Sequence, residues 1–421
     1  MRREIHMFFL AYLALGHVIP TVDMAKLFSS QGVKTTVVTT PVNASLFSRT
    51  IERSKEYDSL PTSTDGNREM SVKFFQAVRL LQEPFEKLLQ EFKPDCLVAD
   101  LFFSWATDAA NKFGIPRLVF HGTGYFSLCA SECIRLYQPH KKVQSDAEPF
   151  VVPNLPGNIE LTKNRLPGYI RQDVETDFTK RMEAATEAEL KSYGAWHIGP
   201  LSLCIREDID KAERGKKSAI DEHECLKWLD SKEPNSVLYI CFGSMSCFTS
   251  AQLKEIVMAL EALDLQFIWV VSKQKKDEED NEWLPEGFEK RREGKGLIIR
   301  GWAPQVLILD HEAVGGFVTH CGWSSTWPTF AEQFFNEKLV TQVLKIGVDV
   351  GAQKWARLVE DFVKMEAIEK AVKELMKGDK ADEMRNRAKA LAEAAKKANK
   401  KGGSSHSDLN ALIEELSSRS Q

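Results

Sequence analysis

The sequence contains no cysteine pair spaced as CxxC, although eight cysteines occur in its 421 residues. Most of them lie in apolar segments such as VLYICFGS, which favours reduced, buried thiols in a cytoplasmic protein over a disulfide framework. Neither sign of charge is in large excess, because the net charge is only −4. We therefore expect no nucleic acid partner. No apolar run is long enough to span a bilayer, so we also expect no stable membrane insertion.

Short apolar strands alternate with helices along both halves of the chain. One such unit consists of the strand IHMFFLAYL, the helix former TVDMAKLFSSQG and the strand VKTTVVTT. The second half contains further short apolar strands: SVLYICFGS, QFIWVVS and GLIIRGWAP. This alternation predicts an α/β fold with parallel sheets covered by helices on both faces. Ligands of such sheets bind beyond the carboxyl ends of the strands, so the residues of interest are those in the strand-end loops.

A change in composition predicts where the chain divides. Residues 195–222 carry many charges and few large apolar side chains after Leu203, as is typical of a linker. We therefore predict two doubly wound domains facing a cleft. The predicted N-terminal domain is 1–203, and the predicted linker is 204–222. The predicted C-terminal domain is 223–405, and a final helical segment follows at 406–421.

Two strand-end corners in the second half have the residues that receive phosphate. FGS at 242–244 offers backbone N–H groups and the hydroxyl of Ser244, although the same residues also form ordinary tight turns. THCGWSST at 319–326 adds His320 and Ser325 as donors, and Gly322 allows a close backbone approach. Two such corners in one half indicate a diphosphate.

Three further observations narrow the ligand. GWAPQ places Trp302 at another strand end, where it is either a core residue or a stacking platform for a base. Glu332 and Gln333 can take sugar hydroxyls, so base, diphosphate and sugar together describe a nucleotide sugar. HGTGYFS at 121–127 imitates a dinucleotide fingerprint but lacks its third glycine, which disfavours a nicotinamide dehydrogenase.

A histidine and an aspartate in the first half suit a proton transfer. His17 follows Gly16 after the first apolar strand, and Asp100 ends the strand CLVAD. An alcohol or phenol must lose its proton as it attacks the anomeric carbon of a sugar, and a neutral imidazole can accept that proton. An aspartate beside it would fix the tautomer and stabilise the imidazolium. A lone histidine at a strand end is otherwise a polar cap, so the prediction depends on the pair.

These segments resemble the plant family-1 UDP-dependent glycosyltransferases. RGWAPQVLILDHEAVGGFVTHCGWSST followed by WPTFAEQFFNEKLV is similar to the long donor-binding signature of that family, and GHVIPTVDMAKLF and LVADLFFSWATDAANKFGIPRLVF match other family segments in order. The resemblance implies the GT-B fold, with the acceptor bound by the N-terminal half and the donor by the C-terminal half. It also implies a final helix that packs back on the N-terminal domain, and a monomer.

The resemblance implies a donor site made of Ser244, Trp302, Ala303, Gln305, His320, Gly322, Trp323, Ser324, Ser325, Glu332 and Gln333. Trp302 would stack on uracil with Gln305 near the ribose, and the serines with His320 would surround the diphosphate. Trp323 would line the sugar, and the last two residues would hold glucose hydroxyls. Glutamine at the final position usually accompanies glucose. No DxD-like carboxylate pair lies near these loops, so we expect no metal ion and no cofactor besides the donor substrate, UDP-glucose.

The sequence departs from the family pattern at one point of the signature. Thr326 runs directly into Trp327, where the family has a helix and a further strand that contribute to ribose and diphosphate binding. Two interpretations remain open. The chain is an inverting, metal-independent O-glucosyltransferase for a small hydrophobic acceptor of phenolic, flavonoid or terpenoid type, or it is a shortened, engineered scaffold that binds small molecules and is catalytically impaired. The sequence also leaves open whether the molecule itself carries the missing segment.

Overall fold

The computed structural model describes residues 4–40, 78–166, 168–171, 195–204, 216–243, 248–271, 283–322, 332–353 and 363–419. Ten strands are described: β1 His6–Leu10, β2 Lys34–Val38, β3 Cys96–Asp100, β4 Arg117–Phe120, β5 Pro149–Val151, β6 Glu160–Thr162, β7 Val237–Cys241, β8 Gln266–Val271, β9 Gly296–Arg300 and β10 Val314–Thr319. They form a four-stranded sheet in the order β2-β1-β3-β4, a second in the order β10-β7-β8-β9, and the antiparallel pair β5-β6. Both four-stranded sheets are parallel, which confirms the predicted α/β class.

Thirteen α-helices are described around these sheets: α1 Leu15–Ser29, α2 Gln82–Phe92, α3 Ala106–Lys112, α4 Tyr125–Tyr137, α5 Gly168–Arg171, α6 Glu222–Asp230, α7 Ser250–Leu263, α8 Phe288–Arg291, α9 Gln305–Asp310, α10 Glu332–Lys338, α11 Met365–Lys377, α12 Ala381–Asn399 and α13 Ser404–Arg419. Short 3-10 turns lie at Pro139–Lys141, Lys163–Arg165 and Leu201–Cys204, and a π-helical turn follows α10 at Leu339–Val343. Among these described helices, none combines the length and the hydrophobicity that a bilayer crossing requires.

Contacts divide the chain into two compact units. The first unit is Met1–Gly122 with Glu175–Asp210 and Ala392–Gln421, and the second is Thr123–Val174 with Lys211–Leu391. Residues of α4 fall in the second unit because Ala130 and Ile134 share a buried cluster with residues of α10. The predicted boundaries at 203, 222 and 405 stay a prediction.

The first sheet is buried on both faces, which explains why its strands read as continuous apolar runs. Side chains alternate along β1, so Met7 and Phe9 pack against α1 on one face while Phe8 and Leu10 pack with α2 and α3 on the other. Helix α13 completes the first face: its leucines at 409, 412 and 416 are buried in the same cluster as Phe9.

The second sheet follows the same scheme. Leu238 and Ile240 of β7 pack with α7 and α11, whereas its alternate residues pack with α6 and α9. The inward face of α7 carries Leu253, Ile256, Val257 and Leu260, which are all buried.

Two predicted boundaries were wrong. Helix α1 begins at Leu15, because the carbonyl of Ala14 already accepts hydrogen bonds from the backbone N–H groups of His17 and Val18. The helix therefore starts before the predicted helix former TVDMAKLFSSQG, and β1 ends at Leu10, before the end of the apolar run IHMFFLAYL. The Ala/Lys/Glu-rich segment from Met365 forms two helices, which are separated at Gly378. The charged run 273–282 and the Ala/Glu-rich stretch before Tyr193 lie outside the described residues.

Candidate active site

The predicted histidine and aspartate are in direct contact in the first unit. Asp100 is the last residue of β3, and His17 lies in the first turn of α1, which follows the neighbouring strand β1. The Nδ1 atom of His17 hydrogen-bonds Oδ2 of Asp100, and both side chains are completely buried. The topology explains the contact, because adjacent parallel strands deliver their following residues to the same edge of the sheet.

The carboxylate of Asp100 is fixed from the other side as well. Its Oδ1 accepts the backbone N–H of Phe102 at 3.0 Å, and its main-chain carbonyl accepts Nη2 of Arg117 at 3.2 Å. An ionised carboxylate only accepts hydrogen bonds, so we assign the ring proton of His17 to Nδ1. The Nε2 atom then carries a lone pair, and it is buried with no hydrogen-bond partner among the described residues. A buried imidazole nitrogen in this state is ready to accept a proton.

Aromatic side chains and a glycine enclose the ring of His17. Tyr12 and Phe102 meet it edge-on with centroid distances of 5.5 and 5.4 Å. On another side lies Gly122, whose φ of +67° is left-handed, and a Cβ built there would stand 2.8 Å from Cε1 of His17. Sequence reasoning missed this role of Gly122, because it considered the residue only as part of HGTGYFS, the dinucleotide fingerprint that lacks its third glycine. The available signal was its position two residues after β4, the strand next to β3.

A second imidazole, that of His121, lies close to this pair. Burial lowers its pKa to about 4, with Asp100 raising and Arg117 lowering the value by smaller amounts. The ring is therefore neutral at physiological pH. Its Nδ1 atom is buried and makes no hydrogen bond to the described residues.

In the second unit, the two predicted phosphate corners are neighbours. Strands β7 and β10 are paired so that Thr319 stands opposite Cys241, and the residues that follow both strands meet at one edge. Both corners use left-handed backbone, at Gly243 with φ +77° and at Cys321 with φ +57°. Ser244 lies outside the described residues, as do Trp323, Ser324, Ser325 and the junction of Thr326 with Trp327.

His320 contributes a neutral donor to this edge. Burial lowers its pKa to about 4, so the ring offers one N–H without a positive charge. Its ring lies over Gly322, since a Cβ built on that glycine would be 2.5 Å from Nε2 of His320. The glycine is therefore needed for the position of the histidine as well as for a close approach to its own backbone.

The residues of GWAPQ follow β9, which lies two strands away from β7 in the same sheet. Two strand spacings amount to about 10 Å, a separation that suits the two ends of a nucleoside diphosphate. Trp302 is half-buried, and its carbonyl accepts the backbone N–H of Ala219 at 2.7 Å. Ala303 is buried, and Gln305 is exposed at the start of α9.

Helix α10 begins with the predicted sugar-binding pair. Glu332 is buried and Gln333 is half-buried. One turn later, Nδ2 of Asn336 donates to the carbonyl of Cys321 at 2.9 Å, which attaches the helix to the corner after β10. The structure thus attaches the helix that carries Glu332 and Gln333 to the corner that contains His320, whereas sequence reasoning missed Asn336.

Within the described residues no cluster of three or more histidine, cysteine or acidic side chains could hold a metal ion. Six cysteines in this part of the chain are free thiols: Cys96, Cys129, Cys133, Cys225, Cys241 and Cys321.

Comparison with known proteins identifies the relatives of this chain. A family model described as "UDP-glucoronosyl and UDP-glucosyl transferase" matches residues 175–386. Scopoletin glucosyltransferase of Nicotiana tabacum is 50% identical over 99% of both chains, and UDP-glucose flavonoid 3-O-glucosyltransferase 7 of Fragaria ananassa is 50% identical over 98% of this chain and 96% of its own. The crystal structure of UGT73P12 of Glycyrrhiza uralensis, complexed with glycyrrhetinic acid 3-O-monoglucuronide, superposes with a TM-score of 0.88 at 38% identity, covering 99% of this chain and 96% of that one.

The alignment with the tobacco relative also measures how much shorter this chain is. It has 474 aligned positions, which exceeds the 421 residues of the chain by 53. At least 53 positions within the alignment therefore have no counterpart here.

Proposed function

The chain belongs to the family of UDP-glucoronosyl and UDP-glucosyl transferases, and on that premise we propose that it transfers glucose from UDP-glucose to a phenolic hydroxyl group of a small hydrophobic acceptor. It is a UDP-glycosyltransferase with the GT-B fold. Support for glucose comes from the relatives named as glucosyltransferases, and support for phenols from the named acceptors scopoletin, flavonoid and anthocyanin.

The observation that carries the proposal is the buried pair of His17 and Asp100. In the proposed reaction the acceptor hydroxyl gives its proton to Nε2 of His17 while its oxygen bonds to the anomeric carbon of glucose. The bond between that carbon and the UDP oxygen breaks, and UDP leaves with the electron pair. Asp100 holds the ring through Nδ1 and stabilises the imidazolium that forms. Attack on the face opposite UDP inverts the anomeric centre and yields a β-glucoside.

We assign the donor to the second unit. Backbone N–H groups beyond β7 and β10, with the neutral N–H of His320, would hold the diphosphate, and Trp302 would stack on uracil. Glu332 and Gln333 would hold glucose hydroxyls. The hydrogen-bond donors around the diphosphate support a departure of UDP that needs no metal ion. The sequence also has no DxD-like pair near the phosphate loops. We further propose a cytoplasmic monomer, and sedimentation velocity would test the monomer directly.

The shorter length of this chain favours one alternative function, that of a binding scaffold. A chain that lacks at least 53 of the aligned positions could retain acceptor binding and lose turnover, which describes a small-molecule-binding scaffold. If the segment after Thr326 is truly absent, UDP-glucose should bind several kcal/mol more weakly than to full-length relatives, since a helix terminus and a buried polar partner are lost together.

One experiment separates the two functions. The purified protein is incubated with UDP-glucose and a panel of phenols, and released UDP and a product heavier by one hexose are measured. Intact mass first establishes whether Thr326 and Trp327 are joined. His17→Ala should lower turnover roughly a hundredfold or more without changing UDP binding. Phenol binding without any product would support the scaffold, and full turnover by His17→Ala would remove the proposed base.

A further inference from the structure

One amide side chain, that of Asn336, joins three elements of the second unit. It lies on α10 and is buried, with 4% of its surface exposed. Its Nδ2 donates to the carbonyl of Cys321 at 2.9 Å, and its Oδ1 accepts the hydroxyl of Ser127, on α4, at 2.6 Å. Both ends of the amide are therefore used within the described structure, and each points to a defined partner.

The partner on the strand side has an unfavourable backbone conformation. Cys321 has a φ of +57°, a region that a residue with a side chain occupies only when its surroundings hold it there. The hydrogen bond from Asn336 supplies such a restraint, because it fixes the direction of the Cys321 carbonyl. Helix α10 is itself held by another part of the unit, because Glu337 meets Nη1 of Arg165 at 3.3 Å and both side chains are largely buried.

Fixing this carbonyl also fixes the next N–H group. In a trans peptide the C=O of one residue and the N–H of the next point in opposite directions. When the carbonyl of Cys321 is held towards Asn336, the N–H of Gly322 must point away from α10, out of the corner beyond β10. This corner is where the proposed function locates the diphosphate.

We propose that Asn336 is a positioning residue for the donor, which orients the Cys321–Gly322 peptide so that the N–H of Gly322 faces the diphosphate of the UDP-sugar. The inference rests on the proposed function, since it requires that a nucleoside diphosphate binds at this corner. Ser127 holds the amide of Asn336 in the orientation that presents Nδ2 to Cys321.

The sharpest variant is Asn336→Asp, which keeps the shape of the side chain and its acceptor for Ser127. A carboxylate cannot donate, so the carbonyl of Cys321 loses its partner. We expect the KM for UDP-glucose and the Kd for UDP to rise roughly tenfold to a hundredfold, with the KM for the phenol unchanged. Ser127→Ala, which leaves the donor to Cys321 in place, should have a smaller effect. Asn410→Asp on α13, whose amide contacts His406, controls for the exchange of an amide for a carboxylate.

A loss of melting temperature in Asn336→Asp with an unchanged KM for UDP-glucose would mean that the residue is merely structural, and would overturn the proposal. If that variant does not fold, hydrogen exchange of the wild-type chain decides. Saturating UDP should slow exchange of the Gly322 amide, and exchange at an unchanged rate while UDP is bound overturns the positioning role alone. If the wild-type chain binds no UDP by calorimetry, the proposed function fails and the inference fails with it.

Discussion

Replacing Gly122 by alanine should displace the imidazole of His17, the proposed base, without replacing any ionisable side chain. The new Cβ would stand 2.8 Å from Cε1 and 3.0 Å from Nδ1 of His17. Carbon atoms in proteins normally approach to about 3.5 Å, so the ring must move by roughly 0.7 Å. It is completely buried between Tyr12 and Phe102, which leaves displacement from Asp100 as the available response. A misplacement near 1 Å can lower turnover about a hundredfold, and we expect an effect of that size.

The chain offers a matched control in Gly114. Its φ is also +67°, but a Cβ there meets no atom within 4 Å. Both alanine variants carry the same left-handed backbone strain, about 1–2 kcal/mol, and only Gly122→Ala adds the clash with His17. Steady-state release of UDP and thermal unfolding are measured for both. Equal turnover in the two folded variants, within about threefold, would refute the view that Gly122 is required for the position of the histidine.

Three further predictions concern the same machinery. Asp100→Asn should lower kcat by about two to four orders of magnitude, because an amide can stabilise the wrong ring tautomer. The affinity for UDP, measured by calorimetry, should stay unchanged. A normal kcat would contradict the tautomer argument. Trp302→Ala should weaken UDP binding by about 1–3 kcal/mol through loss of base stacking, whereas Trp228→Ala, which removes a ring contacted by Lys232, should not. Burial lowers the pKa of His320 to about 4 in the folded chain, against an ordinary 6.5, so the unfolded chain takes up the proton at a higher pH than the folded chain does. The free energy of unfolding should therefore fall as the pH drops from 6.5 towards 4. Urea unfolding at several pH values should show a shallower decline for His320→Gln, and an unaltered slope would mean that His320 titrates normally.

Much of the fold could be predicted because its information is local. Strands such as CLVAD and VLYIC are unbroken apolar runs, and their burial on both faces is what parallel sheets require. The corners after β7 and β10 could be predicted from their glycines, because left-handed or closely approached backbone at a strand end favours glycine. The contact of His17 with Asp100 could be anticipated from one additional assumption, that β1 and β3 are neighbours.

The remaining features depend on contacts that no local pattern encodes. The start of α1 was misplaced because Gly16 and Pro20 suggested a loop, yet packing of Val18 and Val22 against β1 supports a helix there. Asn336 reaches Cys321 across fifteen residues of sequence, and Ser127 reaches Asn336 across 209. Such pairs follow from the order of strands and the placement of helices, which periodicity alone does not determine.

The burial of α13 in the first unit has a consequence for how the protein is made. The leucines at 409, 412 and 416 share a core with Phe9, so a face of the sheet that begins the chain is covered by its last helix. On the ribosome, β1 and β2 leave the exit tunnel long before these leucines are translated, and their apolar surface stays uncovered for most of synthesis. The first unit therefore cannot finish folding in the order in which it is translated, and nascent chains of this protein should engage chaperones until the C-terminus is released.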